Sequence, residues 1–452
     1  MIDYKKFFKG KKITIMGLGL LGRGLGYAKF LAECLPAQAG GADLIVTDLK
    51  TKEQLSSSVD SLKKFKNIKF VLGEHRLEDF KNRDMIIKSA GVPLDSIYIE
   101  EARKNRIPVE MDVSLFAKLS PQTMIIGVTG TRGKSMTTAL IYEILSKNIK
   151  DRKVYLGGNV RGVATLPLLE KIKAGDMLVC ELDSWQLQGF GEAKISPHIS
   201  VFTSFMSDHM NYYKDDMDAY FSDKANIFKY QKSEDILIVR PDVSKLIPKD
   251  IKSRLITINP KTVENYEFIV PGEYQKENLA CAVAVAREFG VPEESIKESV
   301  RNFKGLEGRL QYVKTINNVE IYNDNNATTP EATIAGIEAL KNTQGSPVYK
   351  NVVLICGGAD KGLKLDNFVE MVNKYCKAVI TIPGTGTEKL LTLKLSVKNQ
   401  KVKDLEEAVK EAIKQSEKGD IILFSPAFAS FGMFNNEYER NDLFMKIVKE
   451  LK

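Results

Sequence analysis

Short apolar runs alternate with stretches of helical periodicity along the first 115 residues. KKITIMGLG reads as a strand and a turn, RGLGYAKFLAE has helical spacing, and ADLIVTDL, IKFVLG and DMIIKSAG follow as further apolar runs. Parallel strands connected by helices produce this alternation. We therefore predict a Rossmann-like α/β domain over residues 1–115.

The alternation continues through two further regions. The first of these regions contains two buried strands, DMLVCEL and ISVFTSF, followed by the helical PGEYQKENLACAVAVAREFG. The second contains the strands VVLICGG, AVITIPG and DIILFSP and the helical LEEAVKEAIKQSE. A chain of 452 residues exceeds one ordinary domain, and the turn residues of LSPQTMI indicate a boundary. We predict three α/β domains: residues 1–115, a central P-loop ATPase-like parallel sheet over 116–303, and a C-terminal Rossmann-like α/β domain over 304–452.

Composition narrows the class of protein. Hydrophobic residues make up 43% and charged residues 27%, as in globular proteins, and no apolar run approaches the ~20 residues of a membrane span. The five cysteines form no CxxC pair, which is typical of reduced thiols. The net charge is +8, but the lysines are dispersed along the chain and are not interleaved with aromatic residues, as nucleic-acid binding would favour. We predict a cytoplasmic monomer with no nucleic-acid or membrane partner and no signal peptide.

Residues 127–138, GVTGTRGKSMTT, have the strand–turn–helix layout of a phosphate-binding loop. Backbone N–H groups and a helix N-terminus can bind phosphate oxygens. Lys134 can neutralise the β- and γ-phosphates, and the Ser135 hydroxyl can bind Mg²⁺. Val128 stands six positions before Lys134, so the loop is shorter than a Walker A motif. We predict an ATP site; a glycine turn that caps a helix beside an exposed lysine is the alternative.

A second glycine-rich turn follows the first strand. Gly17, Gly19 and Gly22 form GLGLLG, and Asp48 ends the next strand, where an acidic residue can bond a ribose hydroxyl. A dehydrogenase would have no use for the later phosphate loop. We therefore predict that the first domain binds a nucleotide-linked substrate, the alternative being a Rossmann-like turn without a ligand.

Three side chains with oxygen or nitrogen donors follow the phosphate loop. Glu181 follows the apolar MLVC, His209 follows ISVFTSFM, and Lys224 lies in the helical YFSDKANIF. Mg²⁺ prefers oxygen ligands, so Glu181 with Ser135 suits one ion. His75 and His198 lie in contexts that favour structural roles.

The motifs GVTGTRGKS, ELDSWQLQ, SDHMNYY, DKANIF, NDNNATTPEAT, CGGADKG and SPAFASFGMFNNEYERNDLF occur together and in order. In this the chain resembles the Mur ligases, ATP-dependent enzymes that add amino acids in peptidoglycan precursor synthesis, and the resemblance covers essentially the whole chain. It is greatest to the members that add D-glutamate to UDP-N-acetylmuramoyl-L-alanine. The resemblance implies a cell-wall ligase that forms an acyl phosphate and releases ADP and phosphate.

The resemblance also implies residue roles. The uridine nucleotide substrate would contact Gly17, Leu20, Leu21, Asp48, Gly91 and Asn159. ATP would contact Gly130, Thr131, Arg132, Gly133, Lys134, Ser135, Met136, Gln275, Asn278 and Asp324. The incoming amino acid would contact Thr328, Lys361, Ser430 and Phe431. Catalysis would rest on Lys134, His209, Lys224 and Arg309, the last contacting the γ-phosphate from the third domain. Two Mg²⁺ ions would be held by Ser135, Glu181, His209 and a carbamylated Lys224, because a free ammonium cannot ligate a metal.

Several positions depart from the family pattern: Tyr274, Gln275, Asp183, Gly308, Asn326 and Glu437. Asn326 and Glu437 fall near the implied amino-acid pocket, so L-glutamate or another amino acid stays open as the acceptor. A folate-extending ligase is disfavoured, because those enzymes begin almost directly with the phosphate loop. A nucleotide sensor without chemistry is the alternative from another class.

Overall fold

The computed structural model describes residues 2–20, 22–34, 43–340 and 350–451. The chain forms two compact units, Met1–Glu264 with Glu277–Ser299 and Asn265–Lys276 with Val300–Lys452. The first unit contains two sheets and the second contains one.

The first sheet has the strand order β3-β2-β1-β4-β5, and every neighbouring pair is parallel. Its strands are β1 Lys12–Met16, β2 Asp43–Asp48, β3 Ile68–Leu72, β4 Met85–Lys88 and β5 Val109–Glu110. The accompanying helices are α1 Tyr4–Phe8, α2 Arg23–Cys34, α3 Ser56–Leu62, α4 Ile97–Lys104 and α5 Asp112–Leu119, with a 3₁₀ turn at Leu77–Phe80.

The second sheet has the order β11-β10-β9-β6-β8-β7 and is also parallel throughout. Its strands are β6 Met124–Thr129, β7 Val154–Gly158, β8 Met177–Glu181, β9 Ile199–Phe202, β10 Ile236–Val239 and β11 Arg254–Thr257. Its helices are α6 Lys134–Asn148, α7 Ser184–Ala193, α8 Met210–Tyr213, α9 Met217–Ala225, α10 Pro241–Ser244, α11 Glu273–Glu288 and α12 Glu293–Arg301, with 3₁₀ turns at Leu166–Glu170 and Pro260–Val263.

A continuous apolar core joins the two sheets of the first unit. It runs from Ile13 and Ile15 of β1 to Leu178 and Cys180 of β8 without interruption. Asp112, at the start of α5, reinforces the connection, because its carboxylate accepts hydrogen bonds from the backbone N–H groups of Thr165 (2.8 Å) and Leu166 (2.7 Å). The first sheet and the phosphate-loop sheet are therefore packed together as one body.

The sheet of the second unit is mixed, with the order β12-β13-β17-β14-β15-β16. Only β12 pairs antiparallel, across a tight turn in which Asn317 and Asn318 both have positive φ, as a type I′ hairpin requires. The strands are β12 Gln311–Ile316, β13 Val319–Asn323, β14 Val352–Cys356, β15 Cys376–Thr381, β16 Lys398–Lys401 and β17 Ile421–Phe424. The helices are α13 Pro330–Leu340, α14 Asp366–Tyr375, α15 Thr385–Leu391, α16 Leu405–Gln415 and α17 Glu437–Glu450, and apolar cores cover both faces.

The predicted α/β class is confirmed, and each predicted strand occurs as a strand. The domain boundaries at residues 115 and 303 stay predictions. The sequence analysis did not predict several further strands, among them the antiparallel β12, nor the grouping of Asn265–Lys276 with the C-terminal unit. Among the described residues, no helix combines the length and apolar character needed to cross a membrane.

Candidate active site

The carboxyl edge of the second sheet collects most of the predicted catalytic residues. In the order β9-β6-β8-β7, four neighbouring strands lead into residues 203–209, the phosphate loop, Glu181 and Asn159 respectively. Because the strands are parallel, these segments lie side by side, which is where ligands bind in open α/β sheets.

The phosphate loop has a backbone that only glycine adopts readily. Gly130 has φ +147° and Gly133 has φ +88°, so both positions lie in the region that favours glycine. A Cβ on Gly130 would lie 2.1 Å from Thr203 Oγ1. A Cβ on Gly133 would lie 2.3 Å from Asn278 Oδ1. The loop is thus packed closely against β9 and against Asn278, one of the residues predicted to contact ATP.

The segment after β9 fixes the loop through hydrogen bonds. The Thr131 N–H donates to the Ser204 carbonyl (2.8 Å), and the Arg132 N–H donates to Ser204 Oγ (2.8 Å). Thr203 Oγ1 donates to the Arg132 carbonyl (2.5 Å). These bonds hold the loop open at the N-terminus of α6, where Lys134, Ser135 and the buried Met136 follow.

The two predicted catalytic lysines meet at one carbonyl. Lys134 Nζ donates to the Gly130 carbonyl (3.0 Å) and to that of Thr131 (3.1 Å), and Lys224 Nζ donates to the Gly130 carbonyl (2.8 Å). Lys224 is buried, with 1% of its surface exposed. Burial lowers its pKa well below the ordinary value for lysine, and the charge of Lys134 lowers it further. Lys224 can therefore lose its proton, as carbamate formation requires.

Glu181 is buried at the end of β8 and is held by Asn159. Asn159 Nδ2 donates to Glu181 Oε1 (3.4 Å), and the Asn159 N–H donates to the Glu181 carbonyl (2.7 Å). On its other side Asn159 Oδ1 accepts a 2.6 Å hydrogen bond from Arg23 Nη1. The amide of Asn159 thus connects a residue of α2 to a predicted metal ligand.

His209 lies in an aromatic cluster beside the phosphate loop. Its ring centroid is 4.7 Å from that of Trp185 and 6.3 Å from that of Tyr220. Partial burial lowers the pKa of His209, and the carboxylate of Asp208 opposes this effect. A neutral imidazole is the form that binds a metal.

The chemistry of the donors fits Mg²⁺ only in part. Glu181 and Ser135 supply oxygen atoms, and Lys224 would do so only as a carbamate. Within the described ranges, no three His, Cys, Asp or Glu side chains converge as a ready metal site. Phosphate oxygens and water, which Mg²⁺ usually keeps, would complete the coordination.

Asp183, which departs from the family pattern, has a local structural role. Its carboxylate accepts from the Gln186 N–H (2.7 Å), and Gln186 Oε1 accepts from the Asp183 N–H (3.2 Å). This is a capping box at the start of α7. An aspartate caps a helix as well as a serine does, so the departure conserves the local fold.

A cleft of the first unit, which we call the N-terminal cleft, contains part of the predicted nucleotide pocket. It encloses about 650 Å³ of empty space, part of it open to solvent. Its lining includes Gly19, Leu20, Arg23, Lys88, Gly91 and Gln186. Leu20 and Gly91 were predicted here, whereas Leu21 lies outside the described residues.

Gly17 and Asp48 are not among the residues that line this cleft, but they shape its glycine turn. Asp48 Oδ2 accepts from the Gly19 N–H (2.9 Å), and Oδ1 accepts from the Lys50 N–H (2.9 Å). The Gly17 carbonyl accepts from Ser89 Oγ (2.5 Å), so the turn is tied to the segment after β4. In this structure Asp48 supports the turn, and its predicted contact with the nucleotide stays a prediction.

The second unit brings together three of the residues predicted to contact the amino acid. Thr328, Lys361 and Ser430 follow the carboxyl ends of β13, β14 and β17, which are adjacent in the sheet. Lys361 Nζ donates to Thr328 Oγ1 (3.0 Å). Ser430 is buried, whereas Phe431 is 62% exposed. An ammonium and two hydroxyls at one sheet edge can bind a carboxylate.

The turn that carries Arg309 is anchored on both sides. The Asn326 N–H donates to the Gly308 carbonyl (2.9 Å), and the Leu310 N–H donates to Asp324 Oδ1 (3.0 Å). Gly308 has φ +73°, and a Cβ there would lie 3.2 Å from Asn326 Nδ2. The two departures from the family pattern, Gly308 and Asn326, are therefore neighbours in space.

Near the start of α11, Gln275 is buried and Tyr274 is 38% exposed. Burial raises the pKa of Tyr274 to about 12. The predicted contact of Gln275 with the nucleotide stays a prediction.

Sequence reasoning missed Arg23, Lys88 and Asp112, all of which line the N-terminal cleft. Lys88 is the last residue of the otherwise apolar MIIK strand, and Arg23 directly follows GLGLLG. A lysine at the end of an apolar strand and an arginine directly after a glycine turn were the features of the sequence that could have identified Lys88 and Arg23.

Family models match two parts of the chain. The Mur ligase middle domain matches residues 128–258, and the Mur ligase glutamate ligase domain matches residues 308–428. Solved structures support the same fold. The UDP-N-acetylmuramate-alanine ligase of Thermotoga maritima has a TM-score of 0.60 at 18% identity over 98% of this chain and 100% of that one. The MurF ligase of Thermotoga maritima in complex with ADP has a TM-score of 0.56 at 16% identity and covers 100% of both chains.

Curated relatives match nearly end to end. The UDP-N-acetylmuramoylalanine--D-glutamate ligase of Borreliella afzelii is 36% identical and covers 98% of each chain. Proteins of the same name from Roseiflexus and Clostridioides difficile are 34% and 32% identical, over 97% and 98% of this chain and 98% and 99% of their own. With these matches and the phosphate loop at the edge of its central sheet, the chain belongs to the Mur ligase family.

Proposed function

We propose that this chain is the ATP-dependent ligase that adds D-glutamate to UDP-N-acetylmuramoyl-L-alanine, releasing ADP and phosphate in peptidoglycan precursor synthesis. The near full-length relatives at 32–36% identity bear this name, which supports the substrate pair. The observation that carries the reaction class is the placement of Lys134 and Lys224 on one carbonyl of the phosphate loop.

The reaction needs activation, because a carboxylate is a poor acylating agent. The terminal carboxylate of the donor attacks the γ-phosphorus of ATP, and ADP leaves. The amino group of the acceptor then attacks the acyl phosphate carbonyl, loses a proton, and displaces phosphate. Lys134 would turn from the loop carbonyls to the β- and γ-phosphates and offset the repulsion between the two anions.

We assign Arg309 and Asp324 to the nucleotide, and Thr328, Lys361 and Ser430 to the carboxylates of the acceptor. Ser135, Glu181, His209 and a carbamylated Lys224 would hold two Mg²⁺ ions, which supply positive charge at the phosphates. The buried Lys224 amine supports the carbamate, since a permanent ammonium would be costly there. A cytoplasmic monomer without nucleic-acid or membrane partners stays our prediction.

The test is phosphate release with ATP, Mg²⁺ and UDP-N-acetylmuramoyl-L-alanine, with D-glutamate, L-glutamate and other amino acids supplied in parallel. We expect release that requires both the donor and D-glutamate. Release with L-glutamate alone would contradict D-glutamate as the acceptor. Asn326 and Glu437 are the departures from the family pattern that leave the acceptor open. No release with any acceptor, together with measurable ATP binding, would favour a nucleotide sensor.

A further inference from the structure

Two cations line the N-terminal cleft, and neither belongs to the residues that the family resemblance assigns. Arg23 opens α2 directly after the glycine turn, and Lys88 ends β4 on the other side of the cleft. Among the described residues, no carboxylate forms an ion pair with either side chain. Lys88 Nζ instead donates to the Val92 carbonyl (2.9 Å), and Arg23 donates to the amide oxygen of Asn159.

The remaining charge in the cleft does not cancel these cations. Among the described residues that line it, Asp112 is the one carboxylate, and both of its oxygens already accept hydrogen bonds from backbone N–H groups. Lys88 is only 1% exposed, and burial lowers its pKa to about 8. The carboxylates of Asp183 and Asp223 act on Lys88 from outside the lining. The lining itself holds a lysine and an arginine against one occupied carboxylate, which favours an anionic ligand.

The side-chain amide of Asn159 is a weak hydrogen-bond partner for the guanidinium of Arg23. A neutral amide offers one acceptor atom, whereas a phosphate accepts two parallel hydrogen bonds from the guanidinium fork. The side chain already reaches from α2 to Asn159, which directly follows β7. The α2 N-terminus adds backbone N–H groups and a favourable dipole on the same side.

We propose that Arg23 is a specificity residue for the donor: its guanidinium leaves Asn159 and binds the diphosphate of the nucleotide-linked substrate in the N-terminal cleft. The inference rests on the proposed function, since that function supplies a uridine diphosphate. The inference is narrower than the proposed function, because it concerns a single contact with the diphosphate. Arg23 discriminates a nucleoside diphosphate from the nucleoside and makes no contact with the base.

The experiment compares the binding of UDP and of uridine by isothermal titration calorimetry to the full chain. Variants are Arg23→Gln, which removes the charge, and Arg23→Lys, which keeps the charge and loses the fork. Lys29→Gln is the matched control, because Lys29 lies on the same helix, is 51% exposed and pairs with Glu33. A lost charge-assisted contact corresponds to roughly 10- to 100-fold in affinity.

We expect Arg23→Gln to weaken UDP binding by about that factor and to leave uridine binding unchanged. Arg23→Lys should fall between the wild type and Arg23→Gln, and Lys29→Gln should match the wild type. Unchanged UDP affinity in Arg23→Gln, or an equal loss for UDP and uridine, would overturn the role of Arg23 and leave the proposed ligase intact. A wild type that binds neither ligand would count against the proposed function itself.

Discussion

Lys134 and Lys224 donate hydrogen bonds to the same atom, the carbonyl oxygen of Gly130, at 3.0 and 2.8 Å. Burial lowers the pKa of Lys224 well below the ordinary value for lysine, and the nearby charge of Lys134 lowers it further. The lowered pKa of Lys224 favours the neutral amine that a carbamate requires, and Lys134 lies beside it at the N-terminus of α6.

Lys134→Ala should lower turnover by about 100-fold or more, because a preorganised cation on the transferred phosphate is lost. The measurement is phosphate release with saturating ATP, donor and acceptor. Lys147→Ala is the control, since Lys147 lies on the same helix α6 and pairs with Glu143 on the surface. Near-normal turnover in Lys134→Ala would remove the assignment of this loop to catalysis.

Lys224→Ala should also be inactive, because the carbamate that supplies oxygen ligands cannot form. Added formate or acetate is expected to restore part of the activity by occupying the vacated space. Lys224→Arg keeps a cation and fills the space, so it should be inactive with and without these anions. Lys229→Ala, just beyond α9, serves as the exposed control. High activity in Lys224→Ala without added carboxylate would exclude the carbamate role.

Of the strands that the sequence predicted, all but the edge strand β3 lie inside their sheets. Strands such as β8 are covered on both faces, so they read as continuous apolar runs like MLVCE. The edge strands β11 and β16 read RLIT and KNQK, are mostly exposed, and carry no such run. Their pairing depends on the neighbouring strand in the folded sheet, which the local sequence does not encode.

The candidate site also has a part that the sequence predicts and a part that depends on the folded structure. The phosphate loop could be predicted because its chemistry requires a fixed order of glycine, lysine and serine over a few residues. The contact of Arg23 with Asn159 spans 136 positions and depends on how the first two sheets pack. The same holds for Gly308 and Asn326, whose proximity is set by the turn before β12.

Gly130→Ala should abolish ATP binding and destabilise the first unit. The residue has φ +147°, and its Cβ would lie 2.1 Å from Thr203 Oγ1, so the loop must move. Gly175→Ala is the matched control, because Gly175 has φ +85° with no atom within 4 Å and isolates the backbone strain, about 1 kcal/mol. Nucleotide binding by calorimetry and thermal unfolding would report both effects. Equal losses in the two variants would show that the close approach to Thr203 is unimportant.

Asp324→Asn should change how stability depends on pH. Burial raises the pKa of Asp324 to about 7, so the folded state binds this proton more tightly than the unfolded state. The stabilising contribution is complete below the ordinary pKa near 4 and is lost as pH rises to 7. Asparagine stays neutral and still accepts from the Leu310 N–H. The variant should therefore gain on the order of 2–4 kcal/mol over the wild type at pH 8, and this gain should vanish toward pH 4. Urea unfolding at several pH values would measure it, with the exposed Asp366→Asn as the charge control. A constant difference across pH would contradict the linkage.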